Sequence, residues 1–172
     1  TKRSANGIQA IKLKDGDAIN GITFLLDEQL LLLTQKGKSI RFETNTIAPV
    51  GRMAAGVIGI KLDKDDEVVA CLPVSKMTDN LAIFTENGIG KQTNIKDFPL
   101  QGRGGKGTIA YKPTDSTGLV VSGALVESSD NLLVVGDNTT ICISATDIPT
   151  LSKSAIGNIL IKDNKVLSIT KL

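Results

Sequence analysis

Residues 103–112 read RGGKGTIAYK, and the spacing of their arginine, glycine and lysine occurs three more times in the chain. The other copies are RSANGIQAIK at 3–12, RMAAGVIGIK at 52–61 and KSAIGNILIK at 153–162. Their central glycines are Gly7, Gly56, Gly107 and Gly157. A spacing of about 50 residues that stays in phase over the whole chain indicates an internal structural repeat.

Each repeat contains short runs that are typical of β-strands. The second repeat has VIGIKL (57–62), EVVACLPV (67–74), NLAIFT (80–85) and GKQTNI (90–95), with the turn signal ENG before the last run. The first repeat has the corresponding runs IQAIKL, AINGITFLL, QLLLLT and KSIRF. Loops with proline follow the last run of each repeat, and no window has a convincing helical period. About four short antiparallel strands per repeat predict an all-β, propeller-like fold.

The repeats are expected to form one domain over residues 1–172. Their approximate bounds are 8–56, 57–107 and 108–157, with a partial strand at 158–172, which gives about three to four blades. One blade cannot bury both of its faces alone, so neighbouring blades must pack against it. The runs QLLLLT and NLLVV, apolar on both faces, suit inner strands. Because a complete ring needs more blades, and because the chain lacks an initiator methionine, we expect an open arc excised from a longer protein.

Composition excludes several classes of function. The net charge is only +2, and the absence of histidine excludes His–Cys zinc sites, Ser-His-Asp triads and histidine general bases. No apolar run approaches the length of a membrane span. We therefore predict a cytoplasmic protein with no catalytic residue, no metal and no cofactor. Cys71 and Cys142 lie singly in apolar runs, and both are predicted to be buried free thiols in a reducing compartment.

The loop QGRGGKG at 101–107 predicts contact with phosphate. Its glycines let backbone N–H groups approach a phosphate closely, Arg103 can bind phosphate oxygens with two donors, and Lys106 adds a point charge. The scarcity of aromatic residues argues against recognition of single strands, so backbone contact with duplex DNA is expected. The predicted DNA-binding residues are Gln101, Gly102, Arg103, Gly104, Gly105, Lys106, Gly107, Arg52, Arg3, Lys36, Lys38, Arg41 and Lys91. The third repeat has no cation in DNTTICIS (137–144), which predicts an uneven basic rim.

Other interpretations of these segments are weaker. A dinucleotide site at 102–107 requires a preceding strand and a following helix, whereas a proline loop and a β-like run flank this segment. The acidic residues of 63–67 are expected to cap a turn rather than bind a metal. Lys12, Lys61, Lys112 and Lys162 can either contact DNA or protect a strand edge.

The segment 101–107 resembles the gyrase-A box, whose family form is Q-[RK]-R-G-G-[RK]-G, at six of seven positions. Two further segments resemble the sequence of the same family, TENGIGKQTNIKDF (85–98) and GRMAAGVIGIKLDKDDEVV (51–69). This family is the C-terminal DNA-wrapping domain of the bacterial type IIA topoisomerase A subunit. This resemblance implies a β-pinwheel, in which strands cross between blades and duplex DNA wraps around an outer basic rim. It also implies that the catalytic tyrosine and the ATPase lie elsewhere, so that Tyr111 is a blade residue.

The partners implied by the resemblance are double-stranded DNA, the ATPase subunit of an ATP-dependent enzyme, and the remainder of the topoisomerase A subunit. Gly102 departs from the family form, which has lysine or arginine there, and the copy SKSAIGN at 152–158 is degenerate. The resemblance favours gyrase over topoisomerase IV. A protein-interaction propeller is the alternative, favoured by the near-zero net charge, and salt-sensitive binding of duplex DNA distinguishes the two.

Overall fold

The computed structural model describes residues 6–26, 28–77 and 79–172, and these residues form strands, turns and three short 3-10 helices. The helices are Thr44–Thr46, Ile95–Asp97 and Ala145–Asp147. The strands are β1 (Gln29–Thr34), β2 (Lys38–Glu43), β3 (Val68–Val74), β4 (Asn80–Thr85), β5 (Ile89–Asn94), β6 (Thr108–Ile109), β7 (Val120–Val126), β8 (Asn131–Gly136), β9 (Thr140–Ser144), β10 (Asn158–Ile159) and β11 (Val166–Lys171). The all-β prediction is confirmed. Nothing among the described residues is helical over a length that could cross a bilayer.

Each blade is built around a tight antiparallel hairpin. The three hairpins are β1–β2, β4–β5 and β8–β9, spaced at the predicted repeat. Gly37 and Gly88 lie in the first two turns with φ values of 78° and 77°. Such backbone angles favour glycine, which explains why these glycines recur in phase.

The sheets exchange strands between repeats. Blade 1 has the order β3-β1-β2-β6 and blade 2 the order β10-β5-β4-β7, while blade 3 contains β11-β8-β9. The outer strands β3 and β6 come from the second and third repeats, although β1 and β2 belong to the first. This exchange is the crossing of strands that the resemblance implies. Because each sheet combines several repeats, the bounds of the repeats stay predictions.

Alternating side chains of the inner strands fill the spaces between blades. Leu31 and Leu33 of blade 1 are fully buried in one cluster with Leu81 and Ile83 of blade 2. On the other face of blade 2, Phe84 is buried in a cluster with residues of blade 3. Burying such a side chain contributes roughly 1.5–3 kcal/mol. Among the described residues no core cluster joins blade 1 to blade 3, so the three blades form an open arc.

The predicted strands at the start of the chain are not formed. Residues 6–26 contain no strand, and Ile22, Phe24 and Leu26 are 88%, 84% and 91% exposed. Counted from Gly7, residues 19–25 correspond to β3, which pairs with an inner strand of the preceding repeat. The described inner strands β1, β4 and β8 are already paired with β3, β7 and β11, so no partner is free for this segment. The run VIGIKL (57–62) also forms no strand. Its backbone is hydrogen-bonded to the loop at 101–107.

A pair of phenylalanine substitutions tests this description of the N-terminal segment. Phe24→Ala is expected to change the free energy of unfolding by less than about 0.5 kcal/mol, because the ring is exposed. Phe42→Ala is expected to cost about 3–5 kcal/mol, because that ring is 1% exposed in the blade 1 core. Equilibrium denaturation measures both changes. A large loss for Phe24→Ala would show that residues 19–25 are packed in solution.

Both cysteines are free, but the prediction that both are buried is wrong for Cys142. Cys71 is half-buried and Cys142 is exposed on β9. By strand register the corresponding residues are Arg41 in β2 and Gln92 in β5, and both are buried beside the loop at the end of the next repeat, where they bridge to Leu100 and Thr150. No such loop covers β9 among the described residues, and Cys142 is therefore left in solvent.

Candidate nucleic-acid interface

The loop 101–107, called the box below, is held between β2 and residues 57–61. On one side Gln101 N donates to the carbonyl of Arg41 at 2.8 Å, and Thr108 pairs with Ser39. On the other side Gly104 N donates to Gly59 O and Lys61 N donates to Gly105 O, each at 2.8 Å. These backbone contacts fix the loop along the edge of blade 1.

Two N–H donors of Arg103 make hydrogen bonds within the protein. Its Nε donates to Thr46 O at 3.1 Å, and its Nη1 donates to Ile58 O at 2.7 Å. The guanidinium therefore ties the box to the 3-10 turn after β2 and to the segment before Ile60. Arg103 has a structural role in addition to any contact with phosphate that its remaining donors can make.

Gly102 and Lys106 are the two box residues that are exposed. A Cβ atom added at Gly102 meets no atom within 4 Å, and Gly102 has no positive φ. The lysine or arginine of the family form therefore fits at this position. Gly104 and Gly107 differ, since their φ values of 80° and 69° require glycine.

Three predicted lysines meet around one carboxylate. The Nζ of Lys38 lies 2.6 Å from Oδ2 of Asp63, and this ion pair lowers the pKa of Asp63, with further lowering by Lys106 and Lys36. Lys36 and Lys106 are exposed, and the Lys38 side chain is 24% exposed. Lys36, Lys38 and Lys106 together are called the lysine cluster. It joins the β1–β2 hairpin to the box, and Lys36 Nζ also donates to Lys64 O at 2.6 Å.

Other predicted site residues lie elsewhere. Lys91 is fully buried, and Arg41 is 7% exposed with Nη1 donating to Gln29 Oε1 at 3.2 Å. The structure thus places both cations in the interior rather than on a rim. They lie on two strands, β2 and β5, and the loop at the end of the next repeat covers each of them, the box over β2 and residues 152–155 over β5. Arg52 is exposed, and Arg3 lies outside the described residues.

The weaker candidates have ordinary positions. Lys12, Lys61, Lys112 and Lys162 are all exposed, which leaves both of their predicted roles open. Tyr111 is 1% exposed in the core between blades 1 and 2. In the acidic segment, Asp66 Oδ1 accepts from Lys36 N at 2.9 Å and from Glu67 N at 3.0 Å, which is the predicted turn-capping role.

Sequence reasoning missed the place of Asp63 among the lysines. Aligning the repeats on their central glycines puts Lys14, Asp63, Thr114 and Asn164 at one position. A carboxylate occurs at that position in the second repeat alone, and this difference is the signal that could have identified it. By hairpin register the equivalents of Lys36 and Lys38 are Asn87 and Ile89, then Asn138 and Thr139, so the cluster belongs to blade 1.

Stacked sheets that exchange their outer strands and carry a glycine-rich basic loop define a β-pinwheel domain. The sequence matches the family described as "DNA gyrase C-terminal domain, beta-propeller" over residues 1–24, 28–75 and 79–127. The chain belongs to this family. It is 34% identical to the DNA gyrase A subunit of Buchnera aphidicola over 99% of the chain, and 31% identical to that of Escherichia coli over 96%. It spans 20% and 19% of the length of those relatives.

Solved structures agree with the family. A structure of a DNA gyrase A C-terminal domain superposes with a TM-score of 0.87 and 30% identity, covering 96% of this chain and 58% of the other. The C-terminal domain of a DNA topoisomerase IV superposes with a TM-score of 0.80 over 85% of this chain and 47% of the other. At 20% identity the second likeness shows the fold alone.

Proposed function

We propose that this chain is a non-catalytic module that binds and wraps duplex DNA within a bacterial gyrase A subunit, in the cytoplasm. The observation that carries the proposal is the lysine cluster beside the exposed face of the box. Ammonium groups that are exposed on one edge bind phosphates of any sequence and release counterions as they do so.

The presence of several blades in one array supports the proposal of wrapping. Bending duplex DNA smoothly over one site costs on the order of 1–6 kcal/mol, so contacts from more than one blade must offset it. The blade 1 cluster supplies the strongest contact, and Arg52 with the exposed motif lysines Lys61, Lys112 and Lys162 supplies weaker ones. The rim is therefore uneven, with its anchor at blade 1.

The remainder of the enzyme supplies the chemistry in this proposal. The chain would present a bent segment to the rest of the gyrase polypeptide, while a separate ATPase subunit drives strand passage. Gyrase is favoured over topoisomerase IV because the sequence relatives are gyrase A subunits and the more similar of the two superposed domains is from gyrase. Without that context the chain is expected to bind DNA and catalyse nothing.

Binding of a short duplex across a salt series tests the contact. Lys36→Gln/Lys106→Gln is expected to lower affinity and to reduce the slope of log K against log salt by about 2, roughly 0.9 for each lost phosphate contact. Gly102→Arg is expected to raise affinity and to steepen the slope by about 1, because its side chain enters open space. Arg103→Ala is a poorer probe because it also loosens the box.

The matched control is Lys96→Gln/Lys165→Gln, which removes two exposed lysines outside the lysine cluster. It should alter affinity much less than the cluster variant does. Absence of duplex binding at low salt, or equal binding by the two double variants, would contradict the proposal. The search would then turn to a protein partner for the propeller.

A further inference from the structure

The lysine cluster contains an anion of its own. The Asp63 side chain is 53% exposed, and its Oδ2 lies 2.6 Å from Lys38 Nζ. This distance is that of a charge-assisted hydrogen bond, which is also the interaction that a DNA phosphate would make with the same ammonium. Lys38 therefore cannot bind a phosphate fully while it is paired with Asp63.

We propose that Asp63 is an intramolecular competitor of the DNA phosphate, and that it sets the affinity of the blade 1 rim for duplex DNA. This inference rests on the proposed function. Asp63 occupies the site on Lys38 and repels any phosphate brought to Lys36 or Lys106. With Asp63 in place the cluster carries two net positive charges instead of three.

The fold does not need Asp63 to shape its own loop. The neighbouring Asp66 holds this turn to the β1–β2 hairpin by accepting from Lys36 N, and it also accepts from Glu67 N within the turn. The equivalent positions in the later repeats are Thr114 and Asn164, which are uncharged. An exposed ion pair contributes little to stability. A neutral residue at 63 is therefore expected to leave the blade intact while it frees Lys38.

The competing carboxylate has a functional consequence for the rim. An anchor that binds phosphate too tightly would hold the duplex at blade 1, whereas a displaceable carboxylate keeps release fast. Because both anions compete for one ammonium, DNA binding must break the pair between Lys38 and Asp63. Asp63 is in this sense a residue that tunes affinity rather than a binding residue.

The test compares duplex binding of the wild type, Asp63→Asn and Asp63→Thr across a salt series, with thermal unfolding as a check of folding. Threonine is the residue that the third repeat has at this position. Both variants are expected to bind several-fold more tightly at low salt, with a slope steeper by about one phosphate contact. Asp115→Asn changes the net charge equally at an exposed site and is expected to alter affinity much less.

The two proposals fail in different ways. If the wild type binds DNA but the Asp63 variants bind equally or more weakly, or if Asp115→Asn tightens binding as much as they do, the inference about Asp63 is overturned and the proposed function stands. If neither the wild type nor any Asp63 variant binds duplex DNA at low salt, the proposed function fails and takes this inference with it.

Discussion

Replacing Gly107 with alanine is expected to lower the free energy of unfolding by about 3–5 kcal/mol, whereas Gly56→Ala is expected to cost about 1 kcal/mol. The two glycines are equivalent in the repeat and have similar φ values, 69° and 77°. Positive φ strains any residue with a Cβ atom, so this part of the loss is common to both variants. The difference between them must come from the surroundings.

Only the Gly107 site is closely packed. A Cβ atom there would overlap the carbonyl oxygen of Ser39 and lie 3.0 Å from the carbonyl carbon, whereas at Gly56 it meets nothing within 4 Å. Ser39 belongs to β2, and β6 pairs with it directly after the box. Alanine at 107 must therefore push the box off blade 1, against backbone that cannot yield.

Equilibrium denaturation of the two variants measures the difference. Far-ultraviolet circular dichroism suits this purpose because the exchanged strands are lost with the array. Equal losses at the two positions would mean that backbone strain alone sets the cost and that β6 is not held against β2 in solution.

The repeat explains why much of the fold could be predicted. A glycine that needs positive φ, a turn and an apolar inner strand each leave a local signature, and each recurs in phase. The four central glycines, including Gly7 and Gly157, all have positive φ as expected from their shared role. Pairing across repeats leaves no comparable signature, because a strand such as β3 has the same composition whichever hairpin it joins.

The polar strand β5 is buried, which the sequence did not predict. Polar side chains usually indicate exposure, and Lys91 of GKQTNI is one of the predicted DNA-binding residues. Instead, Gln92 Nε2 donates to Ile148 O at 3.2 Å and Thr93 Oγ1 donates to Leu151 O at 2.9 Å. The next loop offers backbone carbonyls that need donors, so polar side chains are required beneath it. That requirement becomes visible only when the loop is placed over the strand.

Lys91 is the extreme case, and its replacement is the second prediction with a large expected effect. Its Nζ donates to the carbonyls of Ser152, Lys153 and Ala155 at 2.8–2.9 Å, and it lies 5.2 Å from the centre of the Tyr111 ring. In β2 the residue that corresponds to Lys91 is Ile40, which lies beneath the box. A lysine thus supports the degenerate copy at 152–158, which has one glycine where the box has four.

Lys91→Met is expected to lower the free energy of unfolding by about 2–4 kcal/mol. Methionine keeps the apolar stem but leaves three carbonyls without their donor, and hydrogen bonds to a charged group are worth about 1.5–3 kcal/mol each. Part of that loss is offset because the variant no longer pays the desolvation penalty of a buried ammonium, and because water can reach the carbonyls of the half-exposed loop. The control is Lys96→Met, at an exposed site, with an expected change below about 0.5 kcal/mol.

The pH dependence separates the charge of Lys91 from its shape. Burial lowers the pKa of Lys91 to about 8, whereas an unfolded lysine titrates near about 10.4. Between these values the unfolded chain holds a proton that the native lysine has released, so the contribution of this group to stability rises with pH, by up to roughly 1.4 kcal/mol per pH unit. The advantage of the wild type over Lys91→Met should therefore widen from about pH 8 to about pH 10. Parallel stability profiles would instead show that the three carbonyls keep the ammonium protonated in the native blade, which would make the hydrogen bonds and not the desolvation the dominant effect at this site.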